Sequence, residues 1–174
     1  GYLGSVITPL LLSKGHNVTV YDNLMYNQLT LSDLCYMDNF KFVYGDVRDK
    51  NKLSPYVTKA DVIIPLAAIV GFPGCEKDKQ LATEVNFKQI EDILDLVSNE
   101  QTIIFPNTNS GYGTRSSGVC TEEQKLKPNS HYGVTKCNAE NILADRGNSI
   151  IFRFATDFGV SPRMRLDLLV NEFV

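Results

Sequence analysis

Tyr132 and Lys136 are the residues of this sequence best placed to do chemistry. They stand four apart in Tyr132-Gly-Val-Thr-Lys136, so on a helix they share one face. Free tyrosine ionises near pH 10, too high for a base at neutral pH. Bringing the phenol to neutrality takes about 4 kcal/mol of preferential stabilisation of the phenolate. A lysine ammonium one turn away, helped by a cation on a bound ligand, can supply that field. Upstream, the turn Pro106-Asn-Thr-Asn-Ser-Gly-Tyr-Gly113 offers Thr108 or Ser110 to hydrogen-bond a hydroxyl that Tyr132 deprotonates. The plainer alternatives are a surface pair on a helix and ordinary turn chemistry.

The ligand is indicated nearer the start of the chain. Gly1-x-x-Gly4 precedes an apolar helical stretch, which by itself is no more than a tight turn. About 20 residues further on, at the end of a β-branched run, stands Asp22, where an acidic residue can accept both ribose hydroxyls of an adenosine. Asn23 follows it, and Asp-Asn also reads as a turn. A 2′-phosphate would be repelled by Asp22, and no arginine follows it closely, which favours NAD over NADP. Asp46 in Gly45-Asp46-Val47 can accept from an adenine amino group while Val47 flanks the ring. Leu66-Ala67-Ala68 is a run of small side chains that suits either a wall beside the pyrophosphate and ribose or plain helix–sheet packing. A nicotinamide ring would bring the cation that Tyr132 needs, and Lys136 would also hold its ribose.

Composition narrows the class. The 174 residues suit one domain, 1–174. Hydrophobic residues make up 43% and the net charge is −3, against a nucleic-acid partner. The longest apolar run, Val62 to Val70, is too short to span a bilayer, and no secretory signal is visible. Cys35, Cys75, Cys120 and Cys137 form no C-x-x-C pair and read as free thiols in a reducing cytoplasm. With only His16 and His131 beside them, no metal site is expected.

The elements that must position these residues alternate. Strands are expected at Asn17–Tyr21, Phe40–Tyr44, Asp61–Leu66, Thr102–Phe105 and Ser149–Phe154. Their continuous apolar runs suit a parallel sheet covered on both faces. Helices are expected over Ser5–Lys14, with Val6, Ile7, Leu10 and Leu11 as its apolar face, over Glu76–Asn99, and over His131–Arg146 before Gly147. The alternation implies a doubly wound α/β sheet. In the strand order 3-2-1-4-5-6 the first strand is central, and the chain opens on the first helix, so that strand is expected to be missing. The polar loop from Thr114 to Ser130 is long enough to be functional.

The segments GYLGS, GHNVTVYDNL, GDVRD, PLAAIVG, TEVNF, NTNSGYG, SHYGVTK and FRFATDFG together resemble the extended short-chain dehydrogenase/reductases, in particular the NAD-dependent nucleotide-sugar epimerases and dehydratases. The resemblance implies a Rossmann-like fold, a cytoplasmic homodimer, a nucleotide-sugar substrate, and a C-terminal region beyond Val174 that closes over it. It makes Gly1 and Gly4 the last two glycines of a TGxxGxxG loop. Asp22 becomes the adenosine-ribose acid, and Asp46 and Val47 the adenine contacts. Thr108, four before Tyr112, becomes the catalytic hydroxyl beside Tyr132 and Lys136. Asn86 matches an asparagine of the dimer-forming helix, whose apolar outer stripe would include Phe87, Ile90 and Leu94.

Departures bear on the reaction. The family's 4,6-dehydratases carry Asp-Glu after the catalytic threonine to eliminate water. Asn109 and Ser110 stand there, so dehydration is disfavoured and a hydride-returning epimerase is expected, with a reductase, a dehydratase or a non-catalytic NAD-binding relative as alternatives. After Arg153 the family's epimerases often have asparagine three residues on. Thr156 takes that place and can still bond a substrate diphosphate oxygen. Arg163 and Arg165 suit bidentate phosphate contacts, or an exposed basic loop.

Overall fold

The computed structural model describes residues 1–114 and 118–173. Residues 115–117, within the expected functional loop, lie outside the described residues. The chain packs as two compact units.

The first unit comprises Gly1–Leu53 and the segment from Thr156 onward. Helix α1 (Gly4–Ser13) leads to strand β1 (Val18–Asp22), and β2 (Phe40–Tyr44) follows a short 3₁₀ turn at Ser32–Leu34. The strands pair in parallel from Val18↔Phe40 to Asp22↔Tyr44. Gly15, at φ +84°, ends the first helical segment as its left-handed stop. The buried face of α1 is not the expected one. Ser5, Thr8 and Leu12, spaced at three and four, are inside, while Val6 and Leu10 are exposed. The inward stripe is partly polar: Ser5 Oγ lies 2.9 Å from Ser161 Oγ in a buried contact. Helix α2 (Lys50–Val57) has no strong sequence signal, because its first turn is polar. It is held by Leu53 and Val57, both buried, and by Asp49, which accepts from Lys52 N at 3.1 Å.

The second unit is Ser54–Ala155. Its sheet has the order β3-β4-β5, all parallel: β3 (Val62–Ile63), β4 (Thr102–Thr108) and β5 (Ser149–Phe154). The strand expected over Asp61–Leu66 pairs only at Val62 and Ile63, and Pro65, with no N–H, cannot extend the ladder. Strand β4 runs three residues past Phe105, so Thr108 is its last residue rather than a turn residue. Coverage on both faces fails at β5. Ile150, Phe152 and Phe154 are exposed along one face, with the two phenyl rings stacked 5.5 Å apart.

The single helix expected over Glu76–Asn99 is interrupted. It consists of α3 (Phe72–Lys77), α4 (Lys79–Thr83), a π turn at Glu84–Lys88 and α5 (Gln89–Leu96). Asp78 makes the break: its carboxylate accepts from Leu81 N at 2.9 Å, the N-cap bond that starts a new helix. The amides of this segment face inward. Asn86 accepts from Ile69 N at 2.8 Å and donates to Ile69 O at 3.0 Å, and Gln89 donates to Ala67 O at 2.6 Å. They pin the loop that carries Leu66, Ala67 and Ala68. Helix α6 (His131–Ala144), capped by Ser130 Oγ on Gly133 N, lies against β4 and the π turn.

Candidate active site

In the first unit the candidate groups gather at the carboxyl ends of β1 and β2. The Gly1–Gly4 turn runs straight into α1, with Ser5 N donating to Gly1 O at 3.0 Å, and a side chain added at Gly1 would meet open space. Asp22 ends β1 and accepts from Leu24 N through Oδ1 at 2.7 Å. This is the turn geometry that the Asp-Asn alternative describes, and Leu24 takes φ +51°. Asp22 Oδ2 takes no hydrogen bond from the described residues. A Cβ on Gly45 would stand 2.2 Å from Tyr21 Oη, so a larger residue there requires the Tyr21 ring to move.

Asp46 is more committed than the sequence indicates. Oδ1 accepts from Arg48 N at 3.0 Å and Arg48 Nε at 2.9 Å; Oδ2 accepts from Arg48 Nη2 at 2.8 Å and Asn23 Nδ2 at 3.2 Å. A carboxylate has about four lone-pair sites, so an adenine amino group would have to displace a donor. The Arg48 guanidinium holds the Asp46 carboxyl well below the usual carboxylate range. Asp-Val-Arg was legible as spacing, yet the two-residue clamp was missed. Val47 is half-buried beside it.

The segment after β5 belongs to the same unit. Ser161 Oγ donates to Tyr2 O at 2.9 Å, and Tyr2 Oη donates to Gly159 O at 2.5 Å. Thr156 is exposed and lines a pocket with Tyr2, Leu3 and Val6. The two arginines differ: Arg165 is clamped by Asp167, with its Nε 2.7 Å from Oδ1, whereas Arg163 lies 4.4 Å over the Tyr26 ring.

In the second unit Thr108 closes β4. Its Oγ1 accepts from Ser110 N at 3.1 Å and donates to Ser110 Oγ at 3.1 Å, so the two candidate hydroxyls are already coupled. Tyr132 and Lys136 lie on α6, one turn apart. Lys136 is 4% exposed. Its Nζ donates to Pro106 O at 2.7 Å and sits 3.8 Å over the Phe105 ring. Burial pushes its ammonium down to about 7. The residue before Tyr132 is also fixed: His131 Nε2 is 3.0 Å from both Thr83 Oγ1 and Lys79 O.

Two features escaped the sequence reading. Glu140, one turn after Lys136, takes Arg153 through Nη2 at 2.5 Å and Nε at 3.0 Å, and also accepts from Asn107 Nδ2. Tyr132, Lys136 and Glu140 stand at i, i+4 and i+8, which was a usable signal for Glu140. The long loop also has a narrow neck. Lys127 N donates to Gly111 O at 2.9 Å, and Lys127 O lies 2.1 Å from where a Cβ on Gly113 would stand, at φ +68°. Only glycine fits there. Cys35, Cys75 and Cys137 are free thiols, the last two buried.

A family model described as the NAD dependent epimerase/dehydratase family matches residues 1–165. The CDP-paratose 2-epimerase of Salmonella typhi is 28% identical over 91% of this chain and 55% of its own length. The UDP-glucuronic acid 4-epimerase of Bacillus cereus, solved with UDP-glucuronic acid and NAD, has a TM-score of 0.84 at 25% identity, over 98% of this chain and 58% of that one. A dTDP-glucose 4,6-dehydratase from Streptomyces venezuelae, solved with NAD, gives 0.85 at 25% identity over 98% and 57%. The chain thus spans little more than half the length of these relatives. The shared fold is the Rossmann-like parallel α/β arrangement.

Proposed function

Since the chain belongs to the NAD-dependent epimerase/dehydratase family, we propose that its full-length protein is a nucleotide-sugar epimerase. The observation that carries this reading is the corner of α6 and β4: Tyr132 and Lys136 on one helix face, and Lys136 anchored two residues before Thr108. Gly1, Gly4, Asp22, Asn23, Asp46, Val47 and the run Leu66-Ala67-Ala68 are the proposed contacts of NAD. Asp22 Oδ2 is the acceptor for a ribose hydroxyl, and residues 1–174 form one NAD-binding domain.

When bound, NAD supplies a hydride acceptor and returns the hydride. The chain's own residues handle the proton. Thr108 Oγ1 orients a sugar hydroxyl and Tyr132 Oη takes its proton. Lys136 favours the phenolate electrostatically. Burial pushes the Lys136 ammonium down to about 7, and its bond to Pro106 O holds it one turn from Tyr132 along the helix. Thr156, Arg163 and Ser110 are proposed substrate contacts, with Arg165 available once it leaves Asp167. Asn109 and Ser110 provide no carboxylic acid to protonate a leaving hydroxyl, which favours epimerisation over dehydration.

We further propose a homodimer, now on narrower grounds. Ile90 is wholly buried and drops out of any outer stripe, while Phe87 and Leu94 are half-buried and Val134 on α6 is exposed. A monodisperse monomer of the full-length protein in light scattering would count against it. The free thiols favour a cytoplasmic location, and no described helix is long and apolar enough to cross a membrane.

The deciding experiment uses the full-length protein with NAD and a panel of UDP-glucose, UDP-glucuronic acid, dTDP-glucose and CDP-paratose. An epimer should form with no net change in NAD absorbance. Net accumulation of NADH, or no conversion despite tight NAD binding, would replace the reading with an oxidoreductase or a non-catalytic binder. Tighter binding of NADP than NAD would overturn the role given to Asp22.

A further inference from the structure

We infer that Glu140 is a positioning residue for the proposed reaction, holding the Thr108 turn from both sides against the helix that carries Tyr132 and Lys136. The inference rests on the catalytic roles proposed for those three residues.

Glu140 is buried on α6, and its carboxylate binds two arms. One is direct: Asn107, the residue before Thr108, donates to Oε2. The other runs through Arg153 of β5, whose Nη2 and Nε reach Oε1 at 2.5 and 3.0 Å. Arg153 Nη1 then donates to Tyr112 Oη at 2.9 Å, and its guanidinium lies 5.2 Å from the Tyr112 ring centre. Tyr112 closes the 3₁₀ turn Asn109–Tyr112 that follows Thr108. Asn107 and Arg153 are register partners across β4 and β5, so one carboxylate reads both strands at the same level.

The arrangement looks selected for geometry rather than economy. Asn107 presents its NH₂ to the carboxylate, and its Oδ1 is left buried with no partner among the described residues. Such an orphan is costly to bury and is a reason to look for a role. Lys136 holds the preceding residue through Pro106 O. One helix therefore grips β4 at two consecutive residues, Pro106 and Asn107, and leaves Thr108 as the next one out. A misplacement of 1 Å can cost about 10²-fold in rate, which is the scale such a grip protects.

The test uses the full-length protein with whichever sugar of the panel it converts. Glu140→Gln should lower kcat about 10- to 100-fold while KM and the NAD dissociation constant stay within about twofold. Adding Thr108→Val to Glu140→Gln should cost much less than Thr108→Val costs alone, because the hydroxyl is already misplaced. Amide exchange at Ser110 to Tyr112 should speed up in Glu140→Gln, with the rest of α6 unchanged. Multiplicative effects of the two substitutions on kcat, or unchanged exchange in the turn, would overturn the inference and leave the catalytic reading intact. If Thr108→Val and Tyr132→Phe both turn over normally, the catalytic reading itself fails. Should Glu140→Gln not fold, Asn107→Ala and Tyr112→Phe each remove one arm and must show the same coupling.

Discussion

The two corners that carry the candidate residues are built on opposite principles. At the ends of β1 and β2 most polar groups bond near neighbours, with Asn23 reaching across to Asp46 as the exception: Asp22 takes Leu24, Asp46 takes Arg48, and in the same unit Arg165 takes Asp167. These partners are two residues apart and partly exposed, so a ligand can exchange with them at small cost. At the ends of β4 and β5 the bonds are long-range and buried: Lys136 to Pro106, Glu140 to Asn107 and Arg153. Those fix a geometry that a ligand finds already made. The contrast teaches that residues of similar type can make exchangeable contacts in one place and a fixed geometry in another, according to the sequence separation of their partners.

The largest effect that would test this contrast is at Tyr132. Tyr132→Phe removes one oxygen and should lower kcat about 10²–10⁴-fold, with NAD affinity nearly intact. Near-normal turnover on the true substrate would erase the rigid half of the comparison. Next comes the buried pair. Arg153→Met leaves Glu140 without its cation and should cost about 3 kcal/mol in denaturant unfolding, somewhat eased by the residual exposure of Arg153. A loss below about 1 kcal/mol would place this pair with the exposed ones.

Lys136 sharpens the comparison through pH. Its folded value, about 7, lies below the unfolded value near 10.4. Between these the unfolded chain binds the extra proton, so stability rises with pH through that window. It is flat below about 7 and has reached its full value above the unfolded value. The stability of the wild type minus that of Lys136→Met should therefore climb from pH 7 towards 10. A flat difference would mean that the ammonium is not buried as described. The smallest effect belongs to the exposed corner: Asp46→Asn should cost no more than about 1 kcal/mol. The Asp46 carboxylate is held below its usual range, so its contribution is present at neutral pH and lost as acid protonates it. Acid titration of both proteins should show the difference vanishing at low pH.

The same contrast explains what could be seen in the sequence. Local features were legible. Phe40–Tyr44 and Ser149–Phe154 have the expected bounds, α6 ends before Gly147 as its spacing implies, and the helix that places Tyr132 beside Lys136 is present. Non-local features were not. No periodicity reveals that Ser5 turns inward to meet Ser161, or that Asn86 and Gln89 turn inward to hold the loop after β3. Nor does composition show that one face of β5 stays open, since a buried strand and a half-covered one share the same apolar residues. The Asp78 break was readable as an N-cap, but the apolar pattern running through it concealed the signal.

The neck formed by Gly111, Gly113 and Lys127 sets what evolution can do with this molecule. The neck fixes the two ends of the segment, and lengthening a loop between fixed ends is cheap: each doubling costs about 0.6 kcal/mol in closure entropy. Insertions between Thr114 and Leu126 can therefore accumulate, and with them new surfaces, while Thr108 on one side and Tyr132 on the other keep their places. Variation in length should concentrate there, and Gly113 should be the position that tolerates no replacement.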